Sequence, residues 1–168
     1  QGIVIFLRPF HEVNGGWFWW GSKDSTAFVA LYRYVHDYYT NKKGLKNLIW
    51  CYSPMIWPIN YHKYYPGDDV VDVICIDAYT PTIHPWFDDV YKMLMEFNKP
   101  FGLGEYGPCD ASDWEGKKPC SFDYDLVIKD IKQYYPNFAF FMAWDIHFSM
   151  ARHNKIRELL EDSWVVNK

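Results

Sequence analysis

The chain has 168 residues, of which 49% are hydrophobic, 23% charged and 21% aromatic; this is the make-up of one globular domain with a sizeable core and excludes a disordered chain. Seventeen Lys and Arg against 21 Asp and Glu leave a net charge of -4 with no basic run, so a nucleic-acid partner has no electrostatic footprint. No apolar stretch is long enough to span a membrane, and no signal peptide is expected because Gln1 stands directly before the first apolar run.

Ile3 to Leu7 is five apolar residues and reads as a buried strand. Phe28, Leu31, Tyr32 and Val35 fall at helical spacing behind a cap at Asp24 or Ser25, and Gly44 stops that helix. Asn47 to Tyr52 reads as a strand, followed by a long loop rich in Tyr, Pro and Trp. Val70 to Asp77 reads as a continuous apolar strand that carries Asp72 and leads into Ala78 and Tyr79. Phe87, Val90, Tyr91, Leu94 and Phe97 form a helical face, broken by Pro100 before a strand from Phe101 to Glu105. Tyr124, Val127, Ile128, Ile131 and Tyr135 mark the next helix, stopped by Pro136. Phe138 to Trp144 is the fifth strand, and Ile156, Leu159 and Leu160 mark a last helix.

Strands alternating with helices predict a parallel α/β sheet. The conspicuous polar residues, Glu12, Ser53, Tyr79, Glu105 and Asp145, sit where strands end, as they do in a (β/α)₈ TIM barrel. Such a barrel takes about 250 residues, so five strands predict a partial one with unpaired edges at the first and fifth strands. Those edges invite pairing with a missing half or with a second copy, and they predict low stability for the chain alone.

The most informative stretch runs from Arg8 to Gly21. A basic residue, a histidine, a carboxylate and an amide (Arg8, His11, Glu12, Asn14) crowd the end of a strand, and Trp17, Phe18, Trp19 and Trp20 follow at once. Cleavage of a sugar chain needs these groups: a carboxyl to move a proton, polar groups for hydroxyls, flat rings for sugar faces. Glu105 lies between glycines at another strand end, in Gly104-Glu105-Tyr106-Gly107. A lone glutamate there is more often structural; paired with Glu12 it supplies the two carboxyl groups that glycoside hydrolysis requires. No CxxC is present, and His11-Glu12 does not open an HExxH, because Gly15 stands where a second histidine would be; no metal site and no cofactor are expected.

In order and spacing, these segments resemble glycoside hydrolase family 26, the β-mannanase family, over essentially the whole chain. The resemblance implies that residues 1–168 are a single partial catalytic domain running from the fourth to the eighth barrel strand, with the first three strands missing. It implies that Glu12 is the acid/base and Glu105 the nucleophile of a retaining double displacement. It gives substrate-binding roles to His11 beside the acid, Trp17 lining the site, Tyr79 contacting the nucleophile and Trp144 stacking at the end of the last strand. It implies a β-linked plant polysaccharide such as mannan as partner and, since that polymer is too large to enter a cell, extracellular action. β-1,3-xylan, mixed-linkage β-glucan and non-catalytic sugar binding stay open, as does the role of Asp145.

Plainer readings stand beside these. Arg8 pairs with a carboxylate inside the barrel in preference to touching substrate. His11 is also explained as a hydrogen-bonded strand-end histidine. Trp19 and Trp20 either pack the barrel top or stack on sugar. Trp57, Tyr61, Tyr64 and Tyr65 either form outer sugar subsites or pack their own loop. Asp72 is read as buried, structural and paired. Of four cysteines, Cys51 and Cys75 read as buried thiols, while Cys109 and Cys120 leave a small disulfide loop open, which would mean an oxidising compartment.

Overall fold

The computed structural model describes residues 2–109 and 120–166. Its frame is a single parallel sheet of five strands in the order β1 (Ile5–Leu7), β2 (Leu48–Tyr52), β3 (Val73–Tyr79), β4 (Phe101–Gly107) and β5 (Phe138–Ala143). Between and after them run α1 (Ser25–Asp37), α2 (Tyr61–Tyr64), α3 (Asp88–Leu94), α4 (Asp125–Tyr134) and α5 (Ile156–Leu160). Strand order equals chain order, so every connection is a crossover of the same kind and the sheet curls into half a barrel.

Local chemistry sets the elements. Asp24 caps α1, its carboxylate accepting from the amides of Thr26 at 2.7 Å and Ala27 at 3.0 Å. A single π-helical turn, Tyr38–Lys42, extends α1, and Gly44 follows with a φ of +69°. The periodic apolar faces expected of the helices are the buried ones: Phe28 and Tyr32 on α1, Val90 and Leu94 on α3, Val127, Ile128 and Ile131 on α4. The short α2 inside the long aromatic loop had no periodic signal.

Strand boundaries depart from the sequence reading by one or two residues at several ends, the start of β1 among them, and by more at the start of β3. The first strand keeps only Ile5–Leu7, and Ile3, Val4, Ile5 and Phe6 are exposed instead of buried; β1 is an edge strand with β2 as its partner in the sheet. β3 starts at Val73, three residues later than expected. Val70 and Val71 pack in the preceding turn, and Asp72 is exposed. Asp72 is structural and paired as expected, since its carboxylate accepts from the Trp50 amide at 2.8 Å in place of a ladder carbonyl.

The two faces of the sheet have different contents. On the helix side, Trp50, Tyr52, Ile74, Ile76, Ala78, Leu103 and Tyr106 join the main core. On the concave side, Cys51, Val73 and Cys75 form a smaller cluster with Ile49 and Phe140 packed on it. Cys51 and Cys75 are free and buried, as read from sequence, and Cys109 and Cys120 are disulfide-bonded.

One irregularity places the chemistry. Ile76 pairs with Leu103, but the next pair is Asp77 with Glu105, so β4 advances two residues where β3 advances one. In a regular strand Leu103 and Glu105 would share a face. The bulge at Gly104 reverses that alternation and brings Glu105 to the concave side beside Asp77. An added Cβ at Gly104 would lie 2.8 Å from the Asp77 carboxylate and 2.7 Å from the Cys75 Cβ, so only glycine fits the bulge.

Candidate active site

Arg8 follows β1 and crosses the concave face to the carboxyl ends of β3 and β4. Its guanidinium reaches both Asp77 oxygens at 2.6 Å, Glu105 Oε1 at 3.1 Å, the Gly104 carbonyl at 3.2 Å and the Ser53 hydroxyl at 3.0 Å. Asp77 is fully buried. Burial pushes its carboxyl well above the ordinary range, against the pull of Arg8. Arg8 is thus the structural pairing residue expected of it, and it also donates directly to the proposed nucleophile.

Glu105 takes its second support from Tyr79, whose hydroxyl donates to Oε2 at 2.7 Å. Both carboxylate oxygens therefore have donors, and the head is fixed in place. Burial, then the bond to Glu105, pushes the Tyr79 phenol far above its ordinary value, so it stays a donor.

Glu12 is held differently. Phe10 and Glu12 both adopt left-handed backbone, with φ of 55° and 56°, a conformation costing roughly 1 kcal/mol or more at a non-glycine residue. The Glu12 amide donates to the Ser53 carbonyl at 2.6 Å, which ties this turn to the end of β2. Among the described residues, the indole of Trp17 donates to its carboxyl, at Oε2 and 2.5 Å. Gly15 allows that contact, because a Cβ there would lie 2.2 Å from the Trp17 ring. Burial outweighs the Trp17 bond, and with the nearby Glu105 charge it raises the Glu12 pKa to about 7.

His11, Glu12, Trp17, Phe18, Met55, Tyr79, Glu105 and Trp144 line one open cavity of about 440 Å³. All six residues singled out from the sequence are in it. Phe18, named only among the rings that follow the acid segment, also faces it, and Met55 was missed; it carries no polar group, and only the folded chain shows that it faces the cavity. Oxygens of Glu12, Asp77 and Glu105 lie within 4.8 Å of one another, and Arg8 supplies the positive charge on two of these three. His11 packs on Phe18 with ring centroids 4.8 Å apart; burial lowers its pKa, with Glu105 opposing and Arg8 adding to the shift. The Trp144 indole N–H is buried with no partner among the described residues.

Asn14 was recognised only as part of the polar group; its task is structural. Its amide donates to the carbonyls of Met55 and Pro58, both at 2.8 Å, and its oxygen accepts from the Met55 amide at 2.7 Å. That clamps the loop after β2 to the loop that carries Glu12. Trp20 packs: it stacks on Phe18 at 4.4 Å, and its indole donates to the His11 carbonyl at 2.8 Å. Trp19 stays exposed, edge-on to Phe10. Tyr61 and Tyr64 are buried, their loop fastened by the Tyr61 hydroxyl on the Ile56 carbonyl at 2.7 Å. Of the two readings left open for Tyr61 and Tyr64, the structure gives packing of their own loop.

Comparison with known proteins agrees with this geometry. Mannan endo-1,4-beta-mannosidase A and B of Caldalkalibacillus mannanilyticus is 37% identical over 176 residues, covering 100% of this chain and 33% of the relative. Mannan endo-1,4-beta-mannosidase of Bacillus subtilis is 38% identical over 181 residues, covering 100% of this chain and 46% of the relative. A solved Bacillus subtilis mannanase superposes with a TM-score of 0.88 at 38% identity, covering 100% of this chain and 50% of that one. The chain thus spans between a third and a half of the length of these relatives. The family model described as Glycosyl hydrolase family 26 matches residues 1–168, and the chain belongs to that family.

Proposed function

We propose that this chain is the site-bearing part of a retaining endo-β-1,4-mannanase that acts outside the cell. The observation that carries the reading is the pair of unlike carboxyls across one cavity. Glu12 has a pKa raised to about 7 and suits an acid that starts protonated. Glu105, with Arg8 and Tyr79 donating to its two oxygens, suits a positioned anionic nucleophile. Oxygens of the two lie within 4.8 Å, which favours retention, since inverting enzymes keep their carboxyls about 6.5–9.5 Å apart to admit a water.

Glu105 attacks the anomeric carbon while Glu12 gives its proton to the leaving oxygen. The glycosyl–Glu105 ester then yields to a water that Glu12, now ionised, deprotonates. Trp144 and Trp17 supply ring faces, and the unpartnered Trp144 N–H has a sugar oxygen as its partner. The open edges of β1 and β5 are completed in the working enzyme by further barrel strands or by a second copy, which the mass in solution distinguishes.

The test is reducing-sugar release from galactomannan, β-1,3-xylan and mixed-linkage β-glucan by this chain and by its Glu105→Ala variant. A 2-deoxy-2-fluoromannosyl donor should also leave one sugar covalently on Glu105, read by mass spectrometry. Release from xylan or glucan alone would overturn the mannan assignment; absence of any adduct in an active preparation would overturn retention.

A further inference from the structure

A second hollow opens on the same end of the sheet, outside the cavity that holds the two glutamates. Trp57, Pro85, Trp86, Asp88, Asp89 and Lys92 line it, and it encloses about 500 Å³. Trp57 follows β2 and Trp86 follows β3. Their indoles meet edge to face, 5.2 Å between centroids at 62°, with 40% and 45% of each residue exposed. Two half-exposed tryptophans packed on each other keep ring faces toward solvent that the core does not use. Of the aromatic residues that the sequence offered as outer subsites, Trp57 is the one the fold leaves at the surface, and its partner Trp86 had no signal beyond composition.

We infer that this hollow is a further sugar-binding subsite, taking a neutral β-linked hexopyranose unit of the same chain that enters the catalytic cavity. Three observations carry it. First, the hollow is mechanically joined to the catalytic cavity. Met55 lines that cavity and bridges to Asp77, Trp57 is two residues further on, and Asn14 clamps both Met55 and Pro58 to the loop of Glu12. The indole platform is held in fixed register with the reacting carboxyls. Second, the rings supply flat apolar area for the C–H face of a pyranose. Third, an exposed Asp89–Lys92 pair at 3.0 Å beside the rings offers an acceptor and a donor to hydroxyls. The mixed signs there, with no cluster of cations, fit a neutral sugar and not an anionic one. The inference rests on the proposed reading of the main cavity as a glycan site.

The experiment is a titration of the Glu105→Ala chain with β-1,4-mannobiose, β-1,4-mannohexaose and cellohexaose, followed by calorimetry. Trp86→Ala and Trp57→Ala are compared with Trp86→Phe, and with Trp144→Ala as the variant of the main cavity. Melting of each variant separates loss of a ligand contact from loss of fold. Trp86→Ala is expected to weaken the hexasaccharide about tenfold, the size of one good aromatic contact, and to leave mannobiose within about twofold. Trp86→Phe should restore most of the loss, and Trp144→Ala should weaken both lengths.

If cellohexaose replaces mannohexaose in this pattern, the subsite stands and the mannan assignment falls. If Trp144→Ala weakens binding and Trp86→Ala does not, the subsite falls and the main cavity stands. If no oligosaccharide binds, both fall.

Discussion

The ends of β1 and β4 each carry a glutamate into the same cavity, and the two environments are opposites. At β4, Glu105 receives Arg8 and Tyr79 on its two oxygens and sits beside the buried Arg8–Asp77 pair. At β1, Glu12 receives the Trp17 indole N–H and is buried, lining the cavity with His11, Phe18 and Met55. Two identical side chains are suited to the proposed roles of acid and nucleophile because a guanidinium and a phenol hold one and desolvation dominates the other. The same contrast runs through the backbone: Glu105 is placed by a glycine bulge in a central strand, and Glu12 by left-handed residues in a loop off an edge strand.

The sharpest way to break the comparison is to remove each carboxyl in turn. Glu105→Ala should cut kcat by more than about 10⁴-fold on every substrate, because no other group forms the ester. Glu12→Ala should cost about 10²–10⁴-fold on polysaccharide and far less on an aryl glycoside whose leaving group needs no proton. Equal losses on both substrates would reverse the two assignments.

Asp77→Ala addresses the charge on the β4 side. It leaves the largely buried Arg8 with Glu105 as its remaining ion-pair partner and removes one acceptor of its donors, and we expect a stability loss of about 1–3 kcal/mol in urea unfolding. Tyr79→Phe is smaller. It removes the donor to Oε2 and keeps the ring, and about tenfold in kcat with little change in KM is the expected outcome, the size of one hydrogen bond to a charged group.

The smallest effect is a pH shift at Glu12. Activity needs its protonated form, so the alkaline limb of kcat/KM should fall as pH rises through about 7. The Trp17 bond lowers this pKa, so Trp17→Phe should move the limb upward. The sign for stability follows the same logic. The folded value lies above the ordinary 4.5, so the Glu12 contribution is complete below about 4.5 and lost as pH rises through about 7. An alkaline limb that moves downward in Trp17→Phe would mean that another group sets it.

Much of the fold was legible because the helices bury a single stripe and the central strands are continuous apolar runs. Phe28 and Tyr32, or Ile74 and Ile76, declare themselves by spacing alone. The errors fall at the sheet margin. Ile3 and Val4 look like core to any hydrophobicity count, yet they lie at an edge and are exposed. Tyr61 and Tyr64, which the sequence left open between ligand rings and packing, are core. Residue type reports the wish to leave water; it does not say whether a partner surface is there.

By itself the sequence determined the alternating α/β order and the strand ends as the place of the polar residues, because these follow from local periodicity; the resemblance to glycoside hydrolase family 26 pointed to Glu12, Glu105, His11, Trp17, Tyr79 and Trp144, which line one cavity. Only the tertiary structure decided which face Glu105 takes, since a one-residue bulge at Gly104 overrides the two-residue alternation of a strand. It alone decided that Arg8 serves both Asp77 and Glu105, residues far apart in the chain. It alone set the raised pKa of Glu12, because desolvation is a property of everything packed around a group and of nothing in the residue itself.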